Sequence, residues 1–165
     1  MALFIKFDGI DGEASDGSIE VLSFSWGMTN DGGGRGNGGG GGSGRVNVQD
    51  LNFTKHTDKT SPLMMLQCAT GKHIKKAVLT LRKAGGDGVS SLLPAVQFEI
   101  ELADVMVSAY TIKGEQKADV TGSELPTETL SLNFSKIEVT DFFQDPTGAF
   151  QPVTASFDVK SYKAG

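Results

Sequence analysis

The residues of this chain best able to do chemistry are few. His56, Cys68 and His73 are its only histidines and its only cysteine. Their spacing matches no zinc or haem pattern, so the expectation is no metal and no cofactor. A cysteine paired with a histidine can act as a nucleophile, but a reactive thiolate wants positive surroundings and access. Cys68 lies in the apolar stretch Leu63–Ala69 and is read instead as a small core residue. Glu99 and Glu101 are spaced to share one face of a strand, as paired acid–base carboxylates could be. They alternate with Phe98 and Ile100, the pattern of a solvated strand face. Gly34, Gly36 and Gly39 satisfy G-x-G-x-x-G, which cradles a dinucleotide only between a strand and an immediately following helix. Here strand-like Val46-Asn47-Val48 follows. Gly71-Lys72 lacks the upstream glycine and the trailing Ser or Thr of a phosphate loop. Asn52-Phe53-Thr54 and Asn133-Phe134-Ser135 are glycosylation acceptors only on an exported chain. No set converges on a reacting centre, so the expectation is a protein that is not an enzyme.

The elements that position these residues are mostly strands. Period-two alternation runs through Leu3, Ile5 and Phe7, then Ile19 and Val21, with Leu22, Phe24, Trp26 and Met28 on the other face. It recurs over Val46–Phe53, Ala77–Arg82, Val96–Leu102, Leu130–Phe134 and Val153–Val159, as half-buried strands require. In three places the apolar phase slips: after Val48 toward Leu51 and Phe53, after Leu102 toward Val105 and Val107, and after Phe134 toward Ile137 and Val139. A slip needs a bulge or a sharp bend. Long strands that bend and swap faces predict a mainly β fold: a small closed or strongly coiled antiparallel β-barrel. One short α-helix is expected at about residues 61–71. Thr60 or Ser61 can cap it, Pro62 suits its first turn and Gly71 its end.

The chain has 165 residues, the size of a single domain, read here as 1–165. A lone cysteine excludes an intrachain disulfide and fits a reducing cytoplasm. A net charge of −5 with both signs interspersed argues against nucleic acid as a partner. Met1–Phe7 lacks the features of a secretory signal, and no apolar run reaches the ~20 residues of a membrane span, so no membrane insertion is expected.

Residues 32–44 hold ten glycines in thirteen positions, broken only by Arg35, Asn37 and Ser43. Such a run cannot offset its ordering entropy by burying side chains. The plain reading is a hairpin loop; the functional one is an extended loop at about 30–45 that orders against a neighbouring subunit. The polar ends of this hairpin extend the second reading to a subunit-contact set: Asn30, Asp31, Arg35, Asn37, Ser43, Arg45, Lys55, His56, Asp58 and Lys59.

Taken in order, the segments resemble the haemolysin-coregulated protein (Hcp) family of type VI secretion systems. The block Gly44-Arg45-Val46-Asn47-Val48-Gln49-Asp50-Leu51-Asn52-Phe53-Thr54-Lys55 is the most specific. It leads into Asp58-Lys59-Thr60-Ser61-Pro62, Gly71-Lys72-His73 and Ala77-Val78-Leu79-Thr80-Leu81-Arg82. Phe4-Ile5-Lys6, Asp11-Gly12-Glu13 and Ser25-Trp26-Gly27-Met28 fit upstream, and Glu128–Phe134 downstream. The resemblance extends to about residue 145; the aromatic tail Asp141–Phe150 departs from it.

The resemblance implies a barrel assembled as a hexameric ring, stacked into an inner tube that sheath contraction expels. It implies as partners the chain itself, the contractile sheath, the tip spike and baseplate proteins, and effector proteins in the lumen. It implies a bacterial cytoplasmic location during assembly, then export by the apparatus without a signal peptide. Two other readings fit the residues alone: a tube protein of another contractile injection system or phage tail, and a small β-barrel ligand-binding protein.

Overall fold

The computed structural model describes residues 1–32, 45–83, 96–116 and 124–165. Among these lie twelve strands and one helix: β1 (Ala2–Phe7), β2 (Ile19–Val21), β3 (Ser23–Ser25), β4 (Met28–Asn30), β5 (Val46–Val48), β6 (Leu51–His56), α1 (Ser61–Thr70), β7 (Ile74–Arg82), β8 (Val96–Lys113), β9 (Thr127–Asn133), β10 (Lys136–Gln144), β11 (Phe150–Asp158) and β12 (Lys163–Ala164). Every described pairing is antiparallel.

The two later phase slips are one bend. Strands β9 and β10 run along the same side of β8 and keep one register across the bend, with Met106 opposite Asn133 and Ala103 opposite Lys136, before the β8–β9 ladder shifts by one residue between Val107 and Ala109. Between those pairs Asp104 adopts a left-handed φ of 53° and β9 gives way to β10 at Phe134-Ser135. The N-terminal half of β8 pairs with β7 and β10, and its C-terminal half with β9, so the bend carries one strand pair from one sheet into the other. The first slip is a register shift of one residue: Ser25 pairs with Asn52, but Met28 pairs with Val48.

The sheet order β12-β11-β10-β8-β7-β1-β2 joins β6 and β3 through β9. No ladder links β2 to β6. The seam is crossed at Leu22, whose N–H donates to the Thr54 carbonyl at 2.8 Å as the chain bends from β2 into β3. The result is the strongly coiled sheet that the slips require. The same bend explains why both phases of residues 19–28 are apolar. Ile19 and Val21 fill the core before it, and Phe24 and Trp26 pack against the core after it.

The core is one cluster from both sheets, including Ile5, Phe7, Leu51, Phe53, Leu79, Leu102, Val105, Leu130 and Leu132. Helix α1 lies against β8 and buries Met64. Pro62 occupies its first turn, and Gly71 ends it at φ 62° with its N–H on the Gln67 carbonyl. Thr60 is the N-cap position, but its side chain does not cap. Its hydroxyl donates to Asp58 instead, at 2.5 Å. Strand β11 overshoots the core: Val153 is 60% exposed although it alternates like a buried position. Alternation records which face a residue occupies, not whether that face is covered.

Candidate subunit-contact surfaces

Strands β3 and β4 on one side, with β6 and β5 on the other, form one long antiparallel ribbon. The one-residue shift in it is pinned from several sides. Trp26 Nε1 donates to the Gln49 carbonyl at 3.0 Å, and the Gln49 N–H to the Gly27 carbonyl at 3.1 Å. Asp50 accepts from the Ser108 hydroxyl at 2.6 Å and from Asn133 Nδ2 at 3.0 Å. These bonds fix the ribbon's register, and its Phe24, Trp26 and Val48 pack against the core. Its free end is Asn30 and Val46, both strands pointing into the glycine run.

The ten residues of the expected contact set do not stay together. Asn30 and Asp31 are exposed at the ribbon's free end, and Asn30 Oδ1 accepts the Gly32 N–H at 2.9 Å. Arg45 is exposed there too, its guanidinium 5.4 Å from the Tyr162 ring centre, which sets this end of the ribbon beside the C-terminal segment. Arg35, Asn37 and Ser43 lie outside the described residues, as do Gly34, Gly36 and Gly39. His56 and Lys59 are exposed at the opposite end of the ribbon.

Lys55 and Asp58 belong to a different arrangement, an interior clamp. The Lys55 side chain is fully buried, with its Nζ 2.5 Å from Glu128 Oε2, 3.0 Å from Asp58 Oδ1, 3.1 Å from the His56 carbonyl and 3.3 Å from Ser61 Oγ. Glu128 is equally buried and accepts the Tyr110 hydroxyl on Oε1. Asp58 receives the Thr60 N–H at 2.8 Å, while its own N–H donates to Ser61 Oγ at 3.0 Å. The clamp thus nails the first turn of α1 to β6 and β9. Sequence reasoning placed Lys55 and Asp58 in a contact loop and did not single out Glu128. The signal was present: Lys55 is in phase with Leu51 and Phe53, and Glu128 with Leu130 and Leu132. Two opposite charges on two buried faces indicate a pair.

Partial burial works to raise the Asp58 carboxyl. The Thr60 hydroxyl, Lys55 and the Thr60 N–H outweigh it and hold the group below its ordinary 3.8. A carboxyl that titrates lower in the folded state stabilises the fold above its unfolded value and loses that contribution as pH falls through the folded one. The acid-unfolding limb should therefore steepen below about pH 3.8. Asp58→Asn should flatten that part of the limb in a circular-dichroism titration, and an unchanged profile would remove Asp58 from the acid response.

Among the described residues, two groups of apolar side chains stand out as uncovered. On α1, Leu63, Met65 and Leu66 are exposed; on the β10–β11 hairpin, Phe143 and Val153 are. Strand β11 meets β12 at Phe157 and Asp158, and among the described residues its stretch from Gln151 to Ala155 has β10 alone as a strand neighbour. The sheet face opposite Ile100, Leu102 and Ile137 is a polar wall. Glu99 faces Thr80 and Thr140, Glu101 faces Val78 and Glu138, and Thr154 and Ser156 continue the rows. Burial first, then Glu101 and Glu138, raise the Glu99 carboxyl above its usual range. Gln97, Glu99 and Glu101 thus share one face with Thr154, Ser156 and Asp158.

At the seam end of the ribbon, a pocket of about 360 Å³ is lined by Phe4, Glu13, Ala14, Glu20, Leu22, His56, Thr57, Asp58 and Leu125. Glu13 Oε1 accepts the Lys59 N–H at 3.1 Å there. Among the described residues no group of three or more His, Cys, Asp or Glu side chains could hold a metal ion. Among the described residues no helix is long and apolar enough to cross a membrane.

A strongly coiled antiparallel β fold with a long ribbon and exposed apolar side chains on α1 and the β10–β11 hairpin defines the class of protein. The chain belongs to the Hcp family of type VI secretion: the model described as type VI secretion system effector, Hcp, matches residues 4–140. The chain is 42% identical over 141 residues to protein hcp1 of Pseudomonas aeruginosa, covering 83% of this chain and 80% of that one. Its fold is similar to the crystal structure of Hcp1 from Salmonella typhimurium, at TM-score 0.75 and 29% identity, covering 99% and 98% of the two chains. It is also similar to a type VI secretion system effector from Yersinia pestis, at TM-score 0.69 and 26% identity, covering 95% and 99%. The chain is accordingly a type VI secretion tube or effector protein, of a family of structural, secreted proteins known for ring assemblies.

Proposed function

We propose that six copies of this chain close into a ring, and that rings stack into the inner tube expelled when a contractile sheath shortens. The tip spike and baseplate proteins would set where stacking begins, and effector proteins would travel in the lumen. On this reading the chain is structural, with no catalysis of its own, and is made in the bacterial cytoplasm before the apparatus exports it.

The observation that carries the reading is the pair of bare apolar surfaces on unlike elements. A cyclic ring is built from heterologous contacts, in which one patch of each copy meets a different patch of the next. Helix α1 and the β10–β11 hairpin supply two such patches, and the hairpin's free edge adds unpaired backbone groups for a neighbour to use. Exposed apolar surface of this kind marks an interaction site.

Val153→Asp and Leu66→Asp should each dissociate the ring while leaving thermal unfolding close to wild type, because both side chains already face solvent in the single chain. Native mass spectrometry should then show monomer in place of a sixfold species. Replacing residues 32–42 by a short turn should preserve rings with a central hole in negative-stain images and abolish their stacking. A wild-type chain that is monomeric at working concentration would reject the ring and favour a ligand-binding barrel.

A further inference from the structure

The ribbon has two unlike ends. Asn30 and Val46 stand at one end and lead into the glycine run. Leu22 and His56 stand at the other and line the 360 Å³ pocket. From Val46 to His56 an extended strand spans about 33 Å. Translation of a copy along this direction by the ribbon's length brings the Asn30–Val46 end of one copy to the pocket of the next. Contacts of that kind are head-to-tail and do not close, so they propagate.

The chemistries of the two ends are complementary. The pocket carries the carboxylates of Glu13 and Glu20, with Asp58 behind them held by Lys55, and among the described residues no Lys or Arg side chain lines it. Phe4, Leu22 and Leu125 supply apolar wall. Residues 33–44 contain a single charged side chain, Arg35, flanked by glycines at positions 34 and 36. A guanidinium has a flat, weakly hydrated face and an apolar stem, which suit a cleft with apolar walls and a carboxylate rim. Neighbouring glycines bring no side chain to obstruct entry. Arg35 is five residues beyond Asn30, so an extended chain can carry it about 17 Å past the ribbon's end.

We propose that the pocket formed by Phe4, Glu13, Glu20, Leu22, His56 and Leu125 is the socket for Arg35 of a second copy of this chain in the adjacent ring. The assignment rests on the stacking role given to the glycine run above, and it names the surface that receives it. The pairing is electrostatic at a solvent-open rim, so it sets register and weakens with salt.

The test uses the full-length chain in assembled form, scored as stacked tubes against single rings by sedimentation and negative-stain imaging. Arg35→Glu should reduce the stacked fraction about tenfold or more, as one like-charge contact at an interface does. Glu13→Lys with Glu20→Lys should do the same, with rings intact in both. Combining Arg35→Glu with the two lysine substitutions in one chain should restore stacking. Independently, in a Cys68→Ser background, rings of a Leu22→Cys chain mixed with rings of an Arg35→Cys chain should form a disulfide-linked heterodimer on mild oxidation. Val153→Cys in place of Leu22→Cys should not. If shortening residues 32–42 abolishes stacking while the charge reversals leave it unchanged and the Leu22–Arg35 cross-link fails, the socket assignment falls and the stacking role stands. If the shortened chain stacks normally, both fall.

Discussion

Glu128→Ala will cost the fold about 3–5 kcal/mol, measured by urea unfolding, because it leaves the Lys55 ammonium buried without its closest counter-charge. Lys55 has no exposed side-chain surface, and the Glu128 contact at 2.5 Å is the shortest of its four. Removing one member of a buried pair costs far more than removing both. Lys55→Met combined with Glu128→Leu should therefore recover most of the loss, since both positions already point into the apolar cluster of β6 and β9. Recovery will stop short of complete, because the Tyr110 hydroxyl and Asp58 also lose a partner. The same site has a spectroscopic reporter. Burial, then the hydrogen bond to Glu128 and its charge, pushes the Tyr110 phenol up to about 12 from 10.0. An ultraviolet titration should show a phenol ionising at about 12, and Glu128→Gln should bring it down. Because the folded chain holds that proton longer than the unfolded one, stability falls as pH rises above 10.0. A Glu128→Ala chain as stable as wild type would show that the pair is solvated.

Gly12→Ala should destabilise by about 2–3 kcal/mol, the cost of forcing atoms into a packed site. A Cβ on Gly12 would sit 2.2 Å from the Ser18 carbonyl oxygen and 2.6 Å from its carbon. Both are backbone atoms and cannot swing aside. The 11–18 turn must then open, losing the Gly12 N–H bond to the Gly17 carbonyl at 2.8 Å and that of Ala14 to the Ser18 carbonyl at 3.2 Å. The turn also presents Asp16, which accepts from the Ser18 hydroxyl at 2.5 Å and pairs with Arg82 at 2.8 Å. The Ser18 bonds first, then Arg82, hold the Asp16 carboxyl far below its usual range against slight desolvation. Glu13 and Ala14 line the pocket, so the same substitution should impair stacking beyond what the lost stability explains. A Gly12→Ala chain with wild-type midpoint and normal tubes would show that the turn yields freely.

Much of the fold was legible because its signals are local. Alternation marked the strands, and Pro62 with Gly71 marked the helix. Cap chemistry was less so: Thr60 stands at the helix start, but Asp58 collects the Thr60 hydrogen bonds, because β6 ends where Asp58 can also meet Lys55. The alternation of Val153 with Thr154 was real, yet β11 runs past the core, and its in-phase face is bare. Of the contact set, Asn30, Asp31 and Arg45 stand exposed on the ribbon, whereas the ribbon's seam end turned Lys55 and Asp58 inward.

By itself the sequence determined the strand class, the short helix, the three phase slips, the absence of a recognisable catalytic constellation and the order of segments that marks the Hcp family. These depend on spacing along the chain, which backbone geometry translates directly into faces and turns. Tertiary structure alone decided that two slips are one bend at Asp104 and Ser135, that Lys55 meets Glu128, and that Asn30 with Val46 and an acidic pocket occupy opposite ends of one ribbon. Those facts join residues far apart in sequence, and only the register of the closed-over sheet brings them together.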